Sequence, residues 1–369
     1  MGPALDVPSG STAVASTIDA VFTARVRSAE AYHPVFGQLW KLCGERISGG
    51  KGIRPRLMLD MFGALRPDAR ADTRAVAEQG PVPAAVVDIA AAIELLHASF
   101  LLHDDVFDGD LTRRGSPNLI GLLATHPGDT ETTAAQRLHW ARSCGILMGD
   151  LLLAEVHQIF ARVDVEPAAR TALLDLLAHA ITESVVGEQL DIGLEDGTVV
   201  ADTATVLEMC RLKTATYTFE LPLRAAAILA GADSAAADAA LAAAGAHLGL
   251  AFQLQDDLLS TFGDPAEHGK DAFSDLREGK ETAVIAAARM TSAWPEIEPA
   301  FGDCELTVTE GERVQRLLRE CGAESFVHGL IDDQMRALHE TLADPASELP
   351  DAARQTLVSL AARLDGRRS

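Results

Sequence analysis

The stretch ELLHASFLLHDDVFDGDLTRRG, Glu94 to Gly115, decides how the whole chain is read. At about 100° per residue, Asp104 and Asp108 fall on one face of a helix, one turn apart, with Asp105 beside them. Glu94, His97 and Leu101 extend the same stripe toward the helix start. Carboxylates this close repel one another and oppose helix formation unless a cation sits among them. Donors that are all oxygen select a hard ion such as Mg²⁺, which keeps positions open for phosphate oxygens. Arg113 and Arg114 follow at once, with forked donors suited to phosphate. A solvent-facing acidic helix end would share this composition. Here, though, the acids follow the apolar run SFLLH, as on a core-facing helix.

A second stretch, FQLQDDLLSTFGDPAEHGKDAFSDLREGKET from Phe252, repeats the theme. Asp256 and Asp257 close an apolar helical run with Gln253 one turn before them. Lys270 follows in a glycine-bearing loop, and Lys280 opens the next helix. One acid pair is a weak signal. Two acid clusters, each followed by cations, suggest metal clamps on a single diphosphate. In GGKGIRPRL, Lys51 and Arg54 flank a glycine loop where backbone can approach a phosphate closely. Lys213 in RLKTATYTFELP lies in an apolar helical context, where an unpaired ammonium is costly, so it is expected to face a polar cavity. An exposed lysine on an amphipathic helix is an equal alternative.

Around these stretches the chain reads as helix throughout. Of its 369 residues, 48% are hydrophobic but only 5% aromatic, and alanine and leucine dominate the apolar set. That bias favours helices over strands. Helical periodicity predicts segments near 17–46, 84–108, 134–162, 168–190, 203–230, 235–262, 281–292, 309–341 and 350–366. Residues 1–16 read as a flexible N-terminal tail without a secretion signal, and 17–369 as one all-α domain. No run of about twenty uncharged apolar residues appears, so no membrane span is expected. Five scattered cysteines fit a reducing cytoplasm. A net charge of −23 argues against nucleic acid as a partner.

With these motifs in this order, the chain from about Gly49 to Glu281 resembles the trans-isoprenyl diphosphate synthase, or polyprenyl synthetase, family. The resemblance implies an all-α bundle around a central cavity, usually a homodimer. It implies that Asp104, Asp105 and Asp108, with Asp256 and Asp257, bind Mg²⁺ that holds an allylic diphosphate. Arg113, Lys213, Lys270 and Lys280 match positions at that diphosphate. Lys51, Arg54, His97 and Arg114 match those that hold isopentenyl diphosphate. Thr214 and Gln253 match positions near the developing allylic cation, and GEQLD at Gly187 to Asp191 resembles a further helix motif. Two departures stand out: Ser260 where a third aspartate is common, and Gly52 in place of a frequent arginine.

The reaction so implied is head-to-tail condensation of isopentenyl diphosphate with an allylic diphosphate. Ser99 and Phe100 match the cavity floor that limits product length. Small Ser99 and bulky Phe100 suggest a medium-chain product, geranylgeranyl diphosphate ahead of farnesyl diphosphate or longer chains. A class I terpene cyclase would not need the isopentenyl site, and a non-catalytic regulatory subunit would be expected to lose aspartates. A helical di-metal carboxylate protein would need two Glu-x-x-His pairs, whereas Glu94 and His97 supply one.

Overall fold

The computed structural model describes residues 9–47, 52–66, 82–113, 115–125, 132–263 and 273–365. The chain divides into two compact units, Met1–Leu176 with Ala225–Ala232 and Leu177–Arg224 with Asp233–Ser369. Among the described residues, helices make up both, apart from one two-residue ladder.

The first unit is organised by α4 (Ala84–Phe107). Seven of its residues from Ile89 to Leu96, Glu94 excepted, are fully buried. Each leucine or isoleucine among them contributes roughly 1.5–3 kcal/mol by leaving water. The main partner is α6 (Ala134–Arg162), which presents Met148, Leu152, Val156 and Phe160. The two helices approach at Gly149, where an added Cβ would stand 2.3 Å from Nε2 of His103. One turn earlier Ser99 Oγ donates to the Gly149 carbonyl at 2.8 Å. Around this pair lie α1 (Ser9–Glu30), α2 (Pro34–Ile47), α3 (Ile53–Leu65) and α5 (Leu119–Thr125).

The second unit contains α7 from Leu177 to its end (α7 spans Pro167–Glu195), α8 (Thr203–Cys210) and a ten-residue π-helical segment (Arg211–Glu220). That segment continues into α9 (Leu221–Ala230), which begins here and ends in the first unit. Next comes α10 (Ala235–Phe262), then the short α11 (Ser274–Glu278), α12 (Ala283–Arg289) and α13 (Trp294–Ile297). The chain closes with α14 (Val308–Glu320), α15 (Ala323–Ala343) and α16 (Asp351–Asp365). Leu254, Val284, Ile285, Leu318, Val327 and Ile331 form part of the core. Glycines let α10 lie against the π segment: a Cβ on Gly249 would sit 2.4 Å from Cα of Ala215, and one on Gly245 would sit 2.8 Å from Cα of Glu220.

Helices α6 and α10 match the periodicity to the residue, and α4 falls one residue short of it. Elsewhere the structure corrects the expected spans. Residues 9–16, read as part of a loose tail, are helical, because Val14, Ile18 and Phe22 form one buried stripe on α1. The helix expected over 17–46 breaks before Pro34, which has no N–H to continue it and instead starts α2. The helix expected over 309–341 breaks at Gly322, whose φ of 88° suits only glycine well. The segment α3 was not foreseen; its Pro55 lies in the first turn, where a missing donor costs nothing. The span 203–230 is helical throughout, but its middle third is π-wound.

By length and composition alone, α4, α6 and α10 could cross a membrane, contrary to the sequence expectation. The apolar window of α4 is 67% buried within the protein.

At the end of the π segment Glu220 is buried, and burial first, then the nearby Glu183, raises its pKa to about 7. Arg224 and Arg211 lower it, and Asp238 adds to the rise. The folded state therefore holds this proton more tightly than the unfolded chain. The resulting stability is present below the ordinary carboxylate range and is lost as pH rises through about 7. Replacing Glu220 with Gln should remove a pH-dependent contribution on the order of 2–3 kcal/mol. Denaturant unfolding between pH 4 and 8 checks this; equal pH slopes in both proteins would refute it.

Candidate active site

At the end of α4 the chain turns through Gly109 (φ 72°) into a small hairpin. In it β1 (Thr112–Arg113) pairs with β2 (Ser116–Pro117), aligning Arg113 with Ser116. Asn118, buried behind it, fixes the return: its Nδ2 donates to the Asp110 carbonyl and its Oδ1 accepts from the Gly121 N–H, both at 2.8 Å. The hairpin delivers Arg113 back onto the helix end. Its Nε donates to Asp105 Oδ1 at 2.9 Å, and its Nη2 reaches Asp105 Oδ1 at 2.6 Å and Asp104 Oδ2 at 2.9 Å.

Burial pushes the Asp105 carboxyl up to about 6; Arg113 pulls it down, while Asp104 and Asp110 push it up. Burial works against the charge on Arg113, but Asp105 and Asp104 more than offset it, so its pKa rises. Asp108 sits one turn beyond, its N–H donating to the Asp104 carbonyl at 2.9 Å. Asp105, Arg113 and His97 line a cavity of about 400 Å³ together with Glu94, Leu101, Arg46 and other residues of the first unit. Arg54, half-buried in the first turn of α3, is not among its lining residues. Gly52 precedes α3 with φ 56°, a left-handed conformation in which an arginine would be strained. Lys51, Arg114 and Lys270 lie outside the described residues.

The second unit assembles the other candidates around the π segment. Lys213 is paired: its Nζ lies 2.6 Å from Asp191 Oδ2 and 3.0 Å from Glu188 Oε2. Thr214 Oγ1 donates to Gln253 Oε1, and Gln253 Nε2 donates to Asp257 Oδ1, each at 2.9 Å. Asp257 is buried, and its Oδ2 has no hydrogen-bond partner among the described residues. Burial raises its pKa to about 7; the Gln253 hydrogen bond lowers it, and Asp275 and Asp256 raise it. Lys280 pairs with Glu278 at 3.4 Å. Phe100 is half-buried on α4, whereas Ser99 is fully buried.

Sequence reasoning missed the carboxylates that hold Lys213, although Glu188 and Asp191 stand one turn apart in GEQLD. It also missed Asn118, whose role depends on a loop that only the fold creates. Among the described residues no three potential ligands converge on a metal position. The donors nonetheless fit Mg²⁺, which takes one or two protein carboxylates and fills its shell with water and phosphate oxygen. The buried Oδ2 of Asp257, without a partner among the described residues, is such a donor.

A helical scaffold carrying two aspartate clusters and paired cations defines a class of diphosphate-handling enzymes. Residues 38–304 match the family described as Polyprenyl synthetase, and the chain belongs to it. It is 31% identical over 283 residues to the geranylgeranyl diphosphate synthase of Methanosarcina mazei, covering 77% of this chain and 76% of that one. It is 30% identical over 325 residues to the geranylfarnesyl diphosphate synthase of Aeropyrum pernix, covering 85% and 88%. The crystal structure of geranylgeranyl pyrophosphate synthase from Corynebacterium glutamicum, complexed with isoprenyl diphosphate and magnesium, superposes with a TM-score of 0.85. Identity there is 28%, with 99% of this chain and 100% of that one covered. The protein is thus a prenyltransferase of the trans-isoprenyl diphosphate synthase type.

Gly187 is where α7 meets the π segment: an added Cβ would lie 2.2 Å from the Lys213 backbone nitrogen. Gly187→Ala should cost roughly 1–3 kcal/mol of stability through overpacking. By displacing Lys213 it should also lower prenyltransferase kcat/KM by about tenfold or more. Thermal melting and steady-state kinetics check both effects. A wild-type rate would show that this contact does not position the lysine.

Proposed function

We propose that the protein is a Mg²⁺-dependent synthase that condenses isopentenyl diphosphate with an allylic diphosphate to give all-trans geranylgeranyl diphosphate. The observation that carries this reading is Arg113, held on Asp104 and Asp105 at a cavity that His97 also lines. Asp104, Asp105 and Asp108 would hold metal in the first unit, and Asp256 and Asp257 in the second. When bound, Mg²⁺ supplies charge stabilisation to a diphosphate leaving group.

The chain's own residues do the rest. Arg113 and Lys213, already oriented by carboxylates, offer fixed positive charge to phosphate oxygens as negative charge develops. His97, with Lys51, Arg54 and Arg114, binds isopentenyl diphosphate. Thr214 and Gln253, joined by their hydrogen bond, present oxygen dipoles near the allylic carbon. Lys270 and Lys280 serve the allylic diphosphate. The allylic C–O bond breaks and its electron pair leaves with diphosphate. The isopentenyl double bond then attacks the cation, and a proton is lost from the adduct. Leu101 and Leu102 give the cavity apolar walls that help keep water away.

Phe100 and Ser99 set the floor for product length in this reading. A cytoplasmic location agrees with five free thiols, three of them buried. A homodimer agrees with Trp140 and Leu147, exposed at 53% and 57% on α6. No membrane span is proposed: α4 and α10 carry the aspartates of the two clusters.

Incubation with Mg²⁺, isopentenyl diphosphate and each allylic starter, read by mass spectrometry, should yield a twenty-carbon diphosphate. Chelator should abolish it, and Asp104→Ala should cut kcat about a hundredfold or more. Cyclised hydrocarbon would instead assign a cyclase. Phe100→Ala should lengthen the product; an unchanged length would remove Phe100 from the floor.

A further inference from the structure

The cavity at the end of α4 contains a cation that no motif pointed to. Arg46, in the last turn of α2, lines it together with His97, Glu94, Asp105 and Arg113. Among the described residues two arginines therefore line this cavity, and they are not equivalent. Arg113 is committed to Asp104 and Asp105 through three short hydrogen bonds. Arg46 makes no hydrogen bond or ion pair among the described residues, and its side chain is exposed. The carboxylates of Glu45, Glu94 and Asp105 line the same space, so an anion entering it needs an uncommitted positive group.

The geometry points to Arg46 as a binding residue for the diphosphate of the isopentenyl substrate, supplying a forked donor to phosphate oxygens in the cavity that His97 also lines. This rests on the synthase reading above.

An arginine at a helix C-terminus also interacts favourably with the helix dipole. That role predicts lower stability without any preference between substrates. Binding to substrate predicts a selective effect. Arg46→Gln should raise the KM for isopentenyl diphosphate about tenfold, the loss of one charge-assisted hydrogen bond. Allylic KM, kcat at saturation and melting temperature should stay within about twofold or a degree of wild type. Arg46→Lys should recover part of the affinity. Calorimetric titration with inorganic pyrophosphate and Mg²⁺ gives a second readout that needs no turnover, and Arg46→Gln should bind it more weakly. An unchanged isopentenyl KM, or equal rises in both KM values, would overturn the assignment while the synthase reading stands. A wild-type protein that turns over no prenyl substrate would overturn that reading; equal pyrophosphate binding by wild type and Arg46→Gln would then overturn this one as well.

Discussion

The ion pair between Arg113 and the carboxylates of Asp104 and Asp105 is the constraint around which the first unit is arranged. A carboxylate as buried as Asp105 is costly in the charged form, and burial has raised its pKa. The guanidinium offsets that cost only because the hairpin returns it to the helix end in a two-pronged geometry. The hairpin in turn depends on Gly109, Asn118 and the close seat of α5. An added Cβ on Gly121 would come within 2.0 Å of the Leu111 carbonyl oxygen. The apolar body of α4 supplies the rigid element from which the charges project. Packing anchors the helix, and electrostatics shapes its end.

The second unit meets the same demand differently. Its cation, Lys213, is carried on a π-wound stretch and held by two acids of α7. A hydrogen-bonded line of Thr214, Gln253 and Asp257 joins that stretch to α10. Glycines at 187, 245 and 249 let two helices press on the segment at backbone distance. The closeness of these approaches, more than any single pair, fixes where the lysine and threonine stand.

Much of this was legible in the sequence, for identifiable reasons. Strong apolar runs gave α4, α6 and α10 nearly to the residue, because burial on long helices leaves an unambiguous period. Asp104, Asp105, Asp256 and Asp257 stood out in the sequence because clustered like charges are improbable without a cation. The α3 helix escaped because Pro55 and the neighbouring glycines read as a loop. The break at Gly322 escaped because a lone glycine also occurs inside helices. The π winding could not be read at all, since side-chain periodicity over ten residues barely separates it from α. Asn118 and Arg46 carry no local signal; they matter only through what the fold brings beside them.

The π winding also has an energetic side. Its backbone bonds reach five residues back, as the Leu221 N–H does to the Thr216 carbonyl, and such stretches are rare because the α arrangement is usually preferred. Ten residues of it mean that the surrounding helices hold the chain in a form it would not choose alone. Here durability and turnover pull in opposite directions. Changes that let this stretch relax toward ordinary α-helix could make the protein harder to melt, and in doing so would rotate Lys213 and Thr214 out of line. Efforts to toughen the protein would do better to start at α1 or α16, and leave the π winding at 211–220 in place.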